Sequence, residues 1–453
     1  MSLTAIAWIS AYVIGIVLAF VHPIYGLFTY FMDYYAHPPL RWWGDALPDY
    51  RWSLIVAVVT LIAFLIKRNS LPKLNIKKHP QTKWLILFLL NTFAITPIAV
   101  WSEENKQLIE VVIKITLFYL VVIQTVRTKE HFRYMMIFHI LGIFDWGWNA
   151  FVDPQRKAGR LFGIGGPDSL NDNGTAAHLL AILPFLGSVF FTGKWWEKLL
   201  CVAALPFVFN TFILANSRGA FLALLVTGLL SVLLTKGAMR GKTVLAMLMA
   251  GLIFYNLADD KFIERQQTIQ TYEEDTASIE RIESWKAAFH LLRDHPLGTG
   301  GGGFEALSPI YIPDIVEAHK GERRNVHNTF LLVACEWGLQ GFVLFMTFIL
   351  STMWGLLKIR KHAPRTPVGE RVRLDSIALF LGLIGVLTAG FFFNRLYAES
   401  IYWLAAFAAV LRNIHAQVME ESAANEVVVP SDDPESVPDY YVPSSPYAGS
   451  GVH

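Results

Sequence analysis

Charge is scarce in this chain. Only 16% of its 453 residues are Asp, Glu, Lys or Arg while 54% are hydrophobic, an imbalance that excludes an ordinary soluble protein of this length. A net charge of +2 excludes a nucleic-acid partner recognised through overall charge. Cysteine is rarer still. Cys201 and Cys335 both fall in apolar runs, lack the spacing of a metal or redox motif, and read as core thiols with no disulfide expected. No internal repeat stands out. The first apolar run has no charged segment or small-residue cleavage site before it, so it is expected to be a retained span.

Apolar runs fall near 4–32, 52–66, 84–101, 108–126, 132–151, 175–193, 199–215, 219–235, 243–258, 327–357, 374–394 and 399–413. Each approaches the roughly 17–25 residues a helix needs to cross hydrocarbon. The expectation is an all-α integral membrane protein of about twelve spans, with the first run kinked or divided at His22-Pro23. Segment 67–83 carries Lys67, Arg68, Lys73, Lys77, Lys78 and Lys83 with no acidic residue, which marks it as cytoplasmic. Basic connections recur at 127–133, 194–198, 236–242 and 358–373, and alternate with mixed or acidic ones at 101–107, 151–174, 259–326 and 395–399. That alternation predicts a transmembrane scaffold over 1–258, one large external loop at 259–326, further spans over 327–415 and both ends inside. From about 416 the chain turns Pro-, Ser- and acid-rich, and residues 416–453 read as a disordered cytoplasmic tail.

The stretch from Arg281 to Gly341 is the long polar segment caught between apolar runs. Ile282, Trp285, Ala288, Phe289 and Leu292 repeat at helical steps over 281–293. Pro296 ends that helix, and Gly298 and Gly300 to Gly303 follow, a turn whose backbone N–H groups could approach an anion closely. Gly298, Gly300 and Gly303 satisfy G-x-G-x-x-G, but no strand precedes them and no long helix follows, so a dinucleotide site is rejected. Val326-His327-Asn328 then leads into the next apolar run, with Glu336, Gly338 and Gly341 near its start.

Elsewhere, His37-Pro38-Pro39 and Trp42-Trp43 form an aromatic connection of the kind found at membrane interfaces. Lys114 lies inside an apolar run and is expected to face a partner or polar cavity, with Asp145 a candidate partner. Segment 151–174 is a turn-rich loop holding Arg160, and its Asn173-Gly174-Thr175 acceptor pattern abuts a span and is discounted. Asn216-Ser217-Arg218-Gly219 is so short a connection that it holds Arg218 at the membrane surface, where a planar guanidinium can grip phosphate oxygens.

Arg281, Trp285, His295-Pro296-Leu297-Gly298, Gly300 and Phe304, then His327-Asn328 and Glu336-x-Gly338-x-x-Gly341, together resemble the signature of the O-antigen ligase and polymerase superfamily. The Ser217-Arg218-Gly219 turn extends the likeness. His22-Pro23-x-x-Gly26 and the Pro38/Pro39, Trp43-Gly44, Leu47-Pro48 pattern are similar to the O-glycosylation ligases associated with exosortase systems. The variable loop does not align, and the tail is not a family feature.

The resemblance implies a GT-C-like fold and an inverting, metal-independent glycosyltransferase. Such an enzyme moves a glycan from an undecaprenyl diphosphate carrier to an acceptor hydroxyl, on a lipid A core or a protein, at the periplasmic face of a bacterial inner membrane. It implies a bilayer setting, no cofactor and no metal. On this reading Arg218 and Arg281 meet the diphosphate, with Arg160 as a third, and His327, with an ordinary pKa of ~6.5, is the candidate base. Asn328 or Glu336 orients the imidazole, unless Glu336 pairs with a neighbouring helix. Gly298 and Gly300 support the turn, and Tyr272 and Trp285 are candidates to stack on sugar rings. Three rivals stand beside this. A polymerase shares the whole signature. A transporter of lipid-linked glycans would use the same basic surface without chemistry. A metallohydrolase would draw on His290, His295, His319 and His327 with Asp294 or Glu305, whose spacing matches no ligand pattern.

Overall fold

The structure is a computed structural model that describes residues 2–71, 79–157, 160–267 and 276–427. Its helices run in order α1 (Leu3–Ala19), α2 (Pro23–Ala36), α3 (Trp52–Lys67), α4 (Pro80–Ile95), α5 (Ser102–Thr125), α6 (Lys129–Val152), α7 (Asp172–Thr192), α8 (Trp195–Ala215) and α9 (Arg218–Leu234). They continue as α10 (Gly237–Leu257), α11 (Asp260–Gln267), α12 (Thr276–Asp294), α13 (Gly303–Tyr311), α14 (Pro313–Ala318), α15 (Thr329–His362), α16 (Pro367–Ala389) and α17 (Glu399–Val427). A two-stranded antiparallel ribbon, β1 (Arg156–Lys157) and β2 (Arg160–Leu161), precedes α7.

Local chemistry sets these boundaries. His22 caps α2 through its ring Nδ1 while Pro23 takes the first helical position, so the run at 4–32 divides into α1 and α2. Thr128, Asn171, Ser217, Asn328 and Thr366 each accept a backbone N–H with the side chain at a helix start. Against the twelve expected spans, eight helices among the described residues are long and apolar enough to cross a membrane: α3 with its following turn, α5, α6, α7, α8, α10, α15 and α16. The other expected runs correspond to α1 and α2, the 16-residue α4, the 17-residue α9, and α17, where polar residues enter before a full span is complete. The compositional change near 416 falls inside α17, which continues to Val427; residues 428–453 lie outside the described residues, as do 72–78 of the basic segment.

α7 and α16 form the centre. Of their apolar windows 72% and 83% are buried, against 6% for α10 at the periphery. They touch along their lengths because small residues let the backbones approach: a Cβ at Gly382 would stand 2.3 Å from the Ala181 carbonyl oxygen. α8 and α17 pack on α7, α9 on α16, and α4 on α15.

The connections sort onto two ends. At one end Arg133 grips Glu197 (2.7 and 3.2 Å), tying α6 to α8, and Arg360 reaches the Leu234 carbonyl. At the other, the loops around 100–105, 163–175, 298–303, 323–329 and 390–396 bind one another: Val100 N donates to Thr299 O, Arg323 lies over the Trp101 ring, and Arg395 holds Asp168 and Ser169. Among the described residues, basic connections collect at the first end and mixed ones at the second.

Two expectations are corrected. Lys114 faces neither Asp145 nor a polar cavity; its exposed side chain pairs one turn away with Glu110 at 3.6 Å. Asp145 lies 3.8 Å from Arg41, which also donates to the Tyr35 and Ile164 carbonyls and so pins the 160–172 loop. In α12 the buried face is Ser284, Ala287, Ala288 and Leu291, whereas Phe289 points outward at 64% exposure.

Candidate active site

α8 ends on Asn216 in a left-handed conformation and α9 begins one residue later, capped by Ser217. The Ser217 hydroxyl donates to Asn173 Oδ1 at 2.6 Å, which locks this turn to the start of α7. Arg218, first in α9, therefore projects from a fixed point, with its Nη2 3.4 Å from Ser278 Oγ. A pocket forms there. Arg160, Arg218, Arg265 and Arg281 line it together with Asp172, Asn173 and Phe392. Arg160 pairs with Asp172 at 3.4 Å. Among the described residues that line it are four guanidiniums and one carboxylate, and guanidinium forks are the groups best shaped to hold an anion with several oxygens.

The structure thus unites all three arginines singled out from the sequence. It adds Arg265 from α11, which sequence reasoning missed because no motif distinguishes it from Arg293, Arg323 or Arg324. Asp172, Asn173 and Phe392 are likewise contributed by distant elements.

His327 lies within electrostatic reach of Arg281, one of the residues lining this pocket. Its φ is +52°, a left-handed turn just before the Asn328 cap of α15. Burial lowers its pKa to about 4, with Arg281 and then Arg324 pushing the same way and Glu280 opposing them. The imidazole is therefore neutral at pH 7, with a lone pair to offer. Glu280 in turn binds His319 Nε2 at 2.9 Å and Arg324 at 3.5 Å, fastening the 319–324 segment to α12.

The supporting residues hold the fold around the site, and for Glu336 the alternative of pairing with a neighbouring segment is the one the contacts match. Asn328 does not orient the imidazole: its Oδ1 accepts from the Phe330 and Leu331 N–H groups and caps α15. Glu336 does not orient it either. Its carboxylate accepts from Gly302 N at 2.8 Å and Tyr397 OH at 2.5 Å. Nor is the glycine turn an anion cradle, since its N–H groups are already used: Thr299 N donates to Cys335 O, Gly300 N to Glu336 O and Gly301 N to Asn105 Oδ1. The glycines serve close packing. Gly298 has φ +99°, and a Cβ there would lie 2.5 Å from Gly338 N, at the kink that interrupts α15. Trp285 packs against the hydrophobic core, with its indole nitrogen buried and making no hydrogen bond among the described residues. Tyr272 lies outside the described residues. Among the described residues no three His, Cys, Asp or Glu side chains converge as a metal site, and His319 is engaged by Glu280.

A second polar cluster holds the loop between β2 and α7. Arg395 Nη1 donates to Asp168 O at 2.8 Å, Tyr34 OH to Asp168 Oδ1 at 2.6 Å and Glu399 N to Asp168 Oδ2 at 2.7 Å. Burial opposes charge on Asp168, but Arg395, His178 and the hydrogen bonds from the Ser169 and Tyr34 hydroxyls hold its carboxyl below the usual range. The turn after α16 joins the two sides: Phe392 lines the arginine pocket, Asn394 donates to Asn325 beside His327, and Arg395 carries Asp168.

Fold and site together define a multi-pass helical membrane protein with an arginine-lined pocket and a neutral imidazole at one face. Residues 202–346 match the family model for O-antigen ligase, a stretch that includes Arg218, Arg281, His327 and Glu336 but neither Arg160 nor Arg395. The match supports the O-antigen ligase superfamily and points to a membrane glycan ligase or polymerase. No curated protein matches the chain.

Proposed function

We propose that this chain is a membrane glycosyltransferase of the ligase type, transferring a glycan from an undecaprenyl diphosphate carrier to a hydroxyl on a lipid A core or a protein. The site faces the periplasm of a bacterial inner membrane. The observation that carries the reading is the convergence of Arg160, Arg218, Arg265 and Arg281 on one pocket, beside an imidazole that feels the charge of Arg281. A diphosphate anchored in the bilayer places its oxygens at the membrane face, where guanidinium forks bind them bidentately.

In the reaction, the acceptor hydroxyl oxygen attacks the anomeric carbon of the donor sugar from the face opposite the diphosphate. Its proton passes to His327, and the bond from that carbon to the diphosphate oxygen breaks with its electron pair leaving on the diphosphate. The arginines meet that charge from fixed positions, the role a divalent ion takes at other diphosphates. Bound diphosphate also offsets the repulsion of Arg281 and Arg324, raising the basicity of His327 when a base is needed.

Purified protein given a defined lipid-linked glycan and an acceptor tests this. The expected result is an inverted glycosidic bond and one released polyprenyl diphosphate per transfer. Binding of donor without bond formation to any acceptor, accompanied by donor movement between leaflets, would replace the enzyme with a transporter. Lengthening of the lipid-linked glycan itself would assign a polymerase.

A further inference from the structure

α12 is not among the helices apolar enough to cross a membrane, yet each of its ends is tied to the arginine-pocket end of another helix. Near its start, Ser278 Oγ is 3.4 Å from Arg218, the first residue of α9. Just past its other end, the Pro296 carbonyl accepts from Leu339 N at 3.1 Å and the Leu297 carbonyl from Gln340 Nε2 at 2.8 Å. Leu339 follows the Gly338 kink, from which α15 runs on to His362 at the basic end. The 19 residues of α12 extend about 28 Å. A helix of that length, fixed at both ends to one face of the bundle, runs along that face rather than away from it.

Successive residues turn by roughly 100° about a helix axis, so the circumference of α12 divides into three sectors. Ser284, Ala287, Ala288 and Leu291 are buried, with the Ala288 carbonyl 3.7 Å from Cys335 Sγ on α15. Glu283, His290 and Asp294 form an exposed polar edge. The third sector holds Ile279, Ile282, Lys286, Phe289 and Arg293, which recur at alternating steps of three and four, and both Ile279 and Phe289 are exposed. Core on one side, a polar edge on another and an exposed apolar stripe with basic residues between them is the cross-section of a helix lying in a membrane interface. The stripe is also continuous with surface that meets hydrocarbon. Exposed Leu297 lies beside Leu339, and Leu339, Val343, Leu350 and Trp354 are exposed along α15, one of the helices apolar enough to span. Lys286 and Arg293 fit such a seat, since their stems can lie on apolar surface while their heads reach lipid phosphates; Lys286 also pairs with Glu283 on the polar edge at 2.7 Å.

We propose that α12 is an interfacial helix whose Ile279, Ile282 and Phe289 stripe, with Leu297, is seated among the headgroups and first acyl carbons of the leaflet on the arginine-pocket side. The partner is the lipid surface itself. Arg281, beside Ile282, is thereby carried at the level of lipid phosphates, which holds the pocket it lines at that height. The contact does not depend on the proposed transferase reaction and would serve a transporter equally.

Spin labels on single cysteines in the full chain, reconstituted in nanodiscs of phosphatidylethanolamine and phosphatidylglycerol, provide the test; Cys201 and Cys335 are buried and stay unlabelled. Collisions with oxygen, which partitions into hydrocarbon, should exceed collisions with a water-soluble nickel chelate at Phe289→Cys and Leu297→Cys, as at the lipid-facing Leu350→Cys. The preference should invert at Glu283→Cys and His290→Cys. Nickel predominating at Phe289→Cys and Leu297→Cys would overturn the proposal, leaving the stripe in water. Shielding of both positions from oxygen and nickel alike, with broadening from label-to-label coupling, would also overturn it, assigning the stripe to a second copy of the chain. The unmodified chain gives a second reading: a phospholipid with a photoreactive group near the top of its acyl chain should attach to the peptide containing Phe289. Attachment to α15 with none to that peptide would overturn the proposal, however the variants fold.

Discussion

Arg281 and His327 are electrostatic neighbours: the guanidinium on α12 depresses the proton affinity of the imidazole ahead of α15, second only to burial. Because the pKa is lowered to about 4, the neutral form prevails above that value and protonation sets in below it. The acid limb of kcat/KM, which reports the free enzyme, should therefore fall only as the pH drops through the region of 4. Arg281→Gln should move that limb upward, toward the ordinary ~6.5, in addition to slowing turnover. His327→Ala should cut transfer by roughly 10²–10⁴-fold while donor still binds. An acid limb unmoved by Arg281→Gln would detach the two residues.

The arginine pocket makes a separate prediction about geometry. A lysine keeps the charge but not the fork, so Arg218→Lys, Arg281→Lys and Arg265→Lys should each lower transfer by about ten- to hundredfold, the loss of a charge-assisted contact. Donor binding and turnover, measured at matched protein levels, distinguish these from folding defects. Full activity in all three would move phosphate recognition elsewhere. Arg265 is the sharpest case, since only the folded structure nominates it.

Glu336 and Gly298 should act on stability before chemistry. Glu336→Ala strands the Gly302 N–H and the Tyr397 hydroxyl, at a cost on the order of 1–3 kcal/mol for each buried group. The glycine turn should then exchange its amide hydrogens faster and the protein should melt earlier. Tyr397→Phe removes the bond to Glu336 and also strands the Trp337 indole N–H, which donates to the Tyr397 oxygen at 3.0 Å, so it should cost a comparable amount. Gly298→Ala combines a strained φ with a clash against Gly338 N and should be the harsher change. Unaltered melting of Glu336→Ala would show that the turn is held by its other bonds.

The sequence was informative where residue type alone forces an outcome. Long apolar runs, the Pro23 break, the basic connections and Arg218 in its short turn all follow from local chemistry. What stayed hidden depends on contacts between distant segments. Arg265, Asp172 and Phe392 reach the arginine pocket from three separate elements, and the Asp168, Arg395 and Tyr34 cluster joins residues more than a hundred positions apart. Lys114 misled for a related reason: an ionisable group in an apolar run needs a partner, and Glu110 one turn away supplies it more simply than another helix. The glycine turn misled because free N–H groups are assumed in a loop, whereas here α15 and α5 consume them.

The last prediction concerns which side of the membrane the arginine pocket faces. Cys201 and Cys335 are both buried, so the wild-type chain should be silent to membrane-impermeant thiol reagents and single cysteines can be introduced without background. Glu322→Cys lies exposed on the end that carries the arginine pocket, and Lys361→Cys lies exposed on the basic end. Glu322 lies in the connection ahead of α15 and Lys361 in the last turn of that helix, both exposed, so neither change disturbs packing. The excess of Lys and Arg at the basic end predicts that it faces the cytoplasm. In intact cells made permeable only at the outer membrane, Glu322→Cys should therefore label while Lys361→Cys stays protected, and inverted membrane vesicles should reverse the pattern. Labelling of Lys361→Cys from outside would turn the whole molecule over, placing the arginine pocket and His327 in the cytoplasm, and a periplasmic transfer reaction would fall with it.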